Sequence, residues 1–111
     1  MFVSGRASPH IPYARFRAAL DAGDLPFILA HADRFTLGLP DAVEVCRLLA
    51  VRDPGRLEAA SVRWIRRFAA EAAGQERRDY GLIVGAFDAM VSEPESAAGR
   101  LAALCSARGL R

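Results

Sequence analysis

The stretch from Asp53 to Gly74, DPGRLEAASVRWIRRFAAEAAG, constrains the fold more than any other part of the chain. It carries a start signal, a stop signal and two chemically opposite faces. Asp53 offers a carboxylate to the first backbone N–H groups, and Pro54 suits a first helical turn, where its missing N–H leaves no bond unmade. Gly74 is the residue type that ends helices most easily. At about 100° per residue, Leu57, Ser61, Trp64, Ile65, Phe68 and Ala72 share one face, with Arg56, Arg63, Arg66 and Arg67 on the other side. The spacing predicts an amphipathic helix over 53–74. It names no chemistry.

Similar punctuation recurs along the chain. Pro12 opens a helix running to about Ala22, with Tyr13, Phe16 and Leu20 at helical spacing and Gly23 as its stop. Asp24 caps a short second helix with Pro26 in its first turn, reaching about Arg34. Phe35 to Leu39 reads as a connector. Pro40, Asp41 and Glu44 mark a third helix start, where proline fits the turn and acids complement the dipole. Its apolar residues Val43, Val45, Cys46, Leu48, Leu49 and Ala50 wrap more than half the circumference, which places it at the centre of a bundle. A fifth helix spans Gln75 to Val91, with Tyr80, Ile83, Val84, Phe87 and Val91 as its core face. Ser92-Glu93-Pro94-Glu95 matches a capping box and opens a sixth, where Ala97, Leu101, Leu104 and Cys105 face inward and Gly109 terminates.

Sustained period-two alternation and Asn-Gly hairpin turns are absent. The expected fold is therefore all-α: a compact bundle of about six helices in antiparallel pairs, 12–34, 40–74 and 75–109. It forms a single helical domain over 11–111 behind a flexible N-terminal arm at 1–10. The segment FRAALDAGDL (16–25) is similar to part of a tetratricopeptide unit. A short helical-repeat solenoid is the alternative architecture, although the expected spacing recurs nowhere.

The chain has 111 residues, 52% of them apolar, enough to fold as one domain without disulfides or metals. All 15 basic residues are Arg; Lys and Asn are absent, while Ala occurs 22 times. This reads as GC-rich codon usage, or as selection for Arg as a phosphate or carboxylate clamp, so missing Lys alone says nothing about nucleic acid. A net charge of +2 is low for a dedicated nucleic-acid binder. The longest apolar run is too short to span a bilayer, and the opening MFVSGRASPHIP lacks a signal-peptide core, so a cytoplasmic location without membrane association is expected. Cys46 and Cys105 fall on apolar helix faces and read as buried thiols.

Three groups of residues are candidates for binding a partner. Arg56, Arg63 and Arg67 align within about 40° on the fourth helix, with Arg66 beside them and a reach of about 16 Å. That stripe suits an acidic protein patch or phosphates, or is an ordinary solvated face partly neutralised by Glu71. Trp64, the one tryptophan, sits between the apolar and Arg faces. It is either a core anchor with a partner for its N–H or a half-exposed interface hot spot. Gly81, Gly85 and Ala89 form a small-residue stripe at four-residue spacing. Glycine inside a helix costs roughly 1 kcal/mol relative to Ala, so the stripe reflects close approach of another backbone, inside the bundle or across a homodimer, or has no role.

No catalytic, cofactor or metal motif is present. His10, His31, Cys46 and Cys105 lack paired ligand spacing, and Glu93 and Glu95 are accounted for by a helix start. A helix-turn-helix reading of the third and fourth helices meets Arg without the Gln or Asn that read bases. The run DAVEVCRLLAVRDPGRLEAASVRWIRRFAAEA (41–72) resembles small, uncharacterised all-helical proteins of high-GC bacteria, in its acidic-apolar third helix, its Asp-Pro junction, and Arg63-Trp64 followed by Arg67-Phe68. That resemblance implies an all-helical fold and no mechanism. The expected role is a non-enzymatic interaction module, a small adaptor or regulator binding another protein or itself. The alternative is a nucleic-acid-associated regulator that uses the Arg face.

Overall fold

The computed structural model describes residues 11–32, 35 and 37–110. The predicted arm at 1–10 lies outside the described residues. The described chain is all-α, with six α-helices and no strand. It divides into two compact units, Met1–Phe35 and Thr36–Arg111, where the sequence reads as one domain over 11–111.

The first unit holds α1 (Tyr13–Ala22) packed on α2 (Leu25–His31). Pro12 precedes α1 in extended conformation, and its carbonyl accepts the Arg15 and Phe16 N–H groups. Gly23 at φ 72° makes the reversal, which lets the Asp24 N–H reach the Ala19 carbonyl at 2.9 Å. Asp24 then caps α2 as its sequence position predicts, accepting from the Phe27 N–H at 3.3 Å. Phe35 packs against Phe16 and Tyr13, with ring centroids 4.9 and 6.0 Å apart. α2 itself ends at His31, whose ring lies 4.4 Å from that of Phe27.

The second unit holds α3 (Leu39–Arg52), α4 (Leu57–Glu71), α5 (Arg77–Ala89) and α6 (Pro94–Ala107). Its α3 packs on both α4 and α6, and α6 packs in turn on α5. Burial of Leu39, Val43, Cys46, Leu48, Leu49 and Ala50 follows from that middle position. Trp64 joins α4 to α5: its ring stacks on Phe68 at 5.6 Å and meets the edge of Phe87 at 5.7 Å. The Phe68 ring meets Tyr80 edge-on at 5.7 Å. Burying an aromatic side chain of this kind stabilises by about 2–3 kcal/mol.

Several helix ends differ from the sequence expectation. Pro54–Arg56 forms a single 3-10 turn before α4, because the Asp53 carboxylate turns to the Arg56 guanidinium at 3.0 Å rather than capping backbone N–H groups. The box expected at Ser92 and Glu95 does not form. Ser92 Oγ instead donates to the Ala89 carbonyl behind it, and Glu93 takes the cap position without a side-chain bond. A capping box is present at Glu76 and Asp79, where the Asp79 carboxylate accepts the Glu76 N–H at 2.8 Å. Gly74 at φ 62° turns the chain between α4 and α5, and the Gln75 side-chain amide donates to the Ala69 and Ala72 carbonyls at the end of α4.

Candidate interaction surfaces

Trp64 belongs to the interior. It is 2% exposed, and its indole N–H donates to the Leu39 carbonyl at 3.1 Å. This corrects its candidacy as a half-exposed hot spot: the ring is enclosed by Phe68 and Phe87, and its one polar atom is satisfied inside the fold.

The arginine face is exposed but partly neutralised. Arg56 pairs with Asp53, and Arg67 makes a two-bond contact with Glu71 at 2.8 and 3.3 Å. Arg63 and Arg66 are exposed, with no ion-pair partner among the described residues. Four aligned arginines thus present two uncompensated charges.

The α5 stripe lies on open surface. Gly81 and Gly85 are exposed, and a Cβ built at either meets no heavy atom within 4 Å. Close packing inside the bundle is therefore not the reason for them, which leaves a partner helix or no role. Ala89 is half-buried at the stripe's end. The stripe also has apolar company, of which the sequence reading assigned Val84 and Val91 to the core. Val84 is 51% exposed, Val91 56% and Leu82 42%. The inner face of α5 is centred on Ile83, with Ala86, Phe87 and Asp79 beside it. Val84 stands about 100° around from Ile83, beyond the reach of the α4 and α6 contacts.

The missed site of strong electrostatics is at the base of α5. Arg108, just past α6, donates from Nε and from its terminal nitrogen to the two Asp79 oxygens, both at 2.9 Å. Asp79 is 4% exposed, the one buried charged residue among the described residues. The Arg108 guanidinium, aided by the Glu76 N–H, holds the Asp79 carboxyl below the ordinary carboxylate range. Three hydrogen bonds thus commit both of its oxygens to the fold. Burial pushes the Cys46 thiol up to about 12 and the Cys105 thiol up to about 11, so neither is a ready nucleophile. A shallow groove of about 380 Å³ between α3 and α6 is floored by Ala98, Gly99 and Ala102, and its Arg47 is matched by Glu44 and Glu95 at 3.3 and 3.4 Å. Among the described residues no group of three His, Cys, Asp or Glu side chains is placed to hold a metal ion, and no helix is long and apolar enough to cross a membrane.

No family model matches the chain, and no curated protein or solved structure matches it either.

Proposed function

We propose that the chain is a non-enzymatic protein-interaction module, a small adaptor or regulator, that docks its partner on the outer face of α5. One observation carries this reading. A surface helix ordinarily turns polar residues to water, yet the outer face of α5 turns out Gly81, Gly85, Leu82 and Val84. Single exposed apolar side chains need no explanation. Here three of the seven large ones among the described residues, Leu82, Val84 and Val91, belong to this one helix and the turn after it.

The test is retention from the native cell on a tagged chain, comparing the unmodified protein with Gly85→Leu and with Leu82→Ser/Val84→Ser. Far-UV circular dichroism first establishes that both variants fold. A protein held by the unmodified chain and lost from both variants supports the reading. Equal retention on all three overturns it.

The second reading, a nucleic-acid-associated regulator, draws on the exposed and unpaired Arg63 and Arg66. Two phosphate contacts give a salt dependence of log K on log salt of only about −2. Duplex binding with a slope of about that size, abolished by Arg63→Glu/Arg66→Glu, would favour nucleic acid over the α5 reading.

A further inference from the structure

We infer that the occupant of the α5 face is a second copy of this chain, packed antiparallel about a two-fold axis at the height of Ile83. The inference rests on the reading of α5 as a docking face, and goes further by naming the partner. Its argument is charge and shape complementarity of the face with itself.

A two-fold axis makes a self-complementary contact, in which each residue meets the position reflected through the centre. Gly81 and Gly85 are symmetric about position 83, so each faces the other glycine across the seam. Two exposed positions without a Cβ then oppose two more, and the helix axes approach to the short end of the usual 8–10 Å range, at about 8 Å. Leu82 and Val84 stand on opposite sides of that seam, and each is brought beside its own counterpart near the axis. Both are roughly half exposed in the single chain and lose that water on association.

The charges at the two ends of the face complete the match. Arg77 and Asp88 are exposed, and neither has an ion-pair partner among the described residues. They are eleven positions apart, which puts them within about 20° of each other around the helix. The same axis brings the second copy's Asp88 to the height of position 78, about 1.5 Å along the axis from Arg77 and on the same side of the seam. Each copy thus supplies one unpaired cation and one unpaired anion on this side of the seam, and both are answered; Arg78, on the other side, is already held by Glu76 at 2.8 Å. A parallel packing would set Arg77 against Arg77 instead. α5 has 13 residues, about 20 Å of helix. A contact confined to it is small, so association in the micromolar range is expected.

The experiment uses the full chain, with mass followed by light scattering and sedimentation across concentration. The unmodified chain should pass from monomer to dimer. Arg77→Glu and Asp88→Arg, each alone, replace two attractions by two repulsions and should weaken association about tenfold. An equimolar mixture of these two variants should recover association as a heterodimer, because in it the new carboxylate at position 77 meets the new guanidinium at position 88, and the unaltered Asp88 of one copy meets the unaltered Arg77 of the other. Gly85→Leu should hold the protein monomeric with an unchanged circular dichroism spectrum. Gly99→Ala, equally open but on α6, should associate normally. A chain that stays monomeric at every concentration, or charge variants that do not rescue each other, overturns the inference. If the monomeric chain still retains another protein in a manner lost with Gly85→Leu, the docking face stands and only its occupant is wrong. If neither happens, both fail.

Discussion

The glycines of α5 give the most direct test of the physical account. Gly81→Ala/Gly85→Ala adds a methyl group at two helix-interior positions that are exposed and have no heavy atom within 4 Å of the new carbon. No clash offsets the change in helix propensity. Alanine is favoured over glycine by about 0.8–1.0 kcal/mol at each such position, chiefly because glycine has more backbone freedom to lose. The sites share no partner, so the effects add to about 2 kcal/mol of stabilisation. For a chain of this size that corresponds to a rise in Tm of roughly 6–12 °C. The assay is urea unfolding followed by far-UV circular dichroism, at a concentration where light scattering reports monomer. The midpoint should rise while the slope of free energy on urea stays constant, since the surface exposed on unfolding barely changes. Gly99→Ala supplies an internal control and should contribute about 1 kcal/mol. Loss of stability in the double variant would refute the reasoning, because it would mean that these two positions face a neighbour rather than water.

Three further outcomes are expected. Trp64→Phe removes the hydrogen bond to the Leu39 carbonyl and part of the packing against Phe87, so urea unfolding should report a loss of about 2 kcal/mol; a loss below about 0.5 kcal/mol would contradict the anchor role. Asp79 is held below the ordinary carboxylate range chiefly by Arg108, so its contribution is complete above the unfolded value of about 3.9 and is lost as pH falls through the lower folded value. Asp79→Asn should therefore unfold at lower urea near neutral pH, with the gap to the unmodified chain closing as pH falls through the lowered folded value; a gap that is constant with pH would refute the linkage. Cys46 and Cys105 are buried with thiols pushed up to about 12 and about 11, so a thiol reagent at mildly alkaline pH should label both only as fast as the protein opens. Labelling should slow in Gly81→Ala/Gly85→Ala, and fast labelling of the folded chain would refute the burial argument.

What was legible in the sequence is what short-range physics decides. Phe16, Leu20, Trp64, Phe68 and Leu101 recur at helical spacing and are buried as that spacing predicts. Gly23, Gly74 and Gly109 sit where helices stop, and all three adopt positive φ. Val84 and Val91 look like core residues because valine is apolar, but the 75–91 wheel is apolar over so much of its circumference that periodicity does not say which arc is covered. Only the placement of α4 and α6 decides that. Asp79 and Arg108 are 29 positions apart, and no local pattern announces their pairing. The box at Glu76 and Asp79 was overlooked because its cap residue is acidic rather than Ser or Thr. The stronger-looking pattern at Ser92 lost to a different local bond, the Ser92 hydroxyl to the Ala89 carbonyl. Of the candidate site, the glycine stripe was visible; its exposure was not.

The way α5 is held bears on what its outer face is for. Two glycines and several β-branched or aromatic residues make it a poor helix by propensity alone. Its inner side compensates at three levels. Arg108 ties Asp79 at the first turn, Ile83, Ala86 and Phe87 are buried along the middle, and buried Met90 with the Ser92 and Glu93 bonds to the Ala89 carbonyl secure the far end. The buried side chains lie on one side of the helix. The backbone is fixed before anything docks, so binding on the outer side need not spend free energy on ordering the helix. Alanine at positions 81 and 85 would strengthen the monomer, and a one-base change converts a glycine codon to an alanine codon in a chain that already uses alanine 22 times. Folding therefore does not call for glycine at these two positions. On the dimer proposed above, close approach of a second backbone does, and the fixed α5 would receive it without reordering.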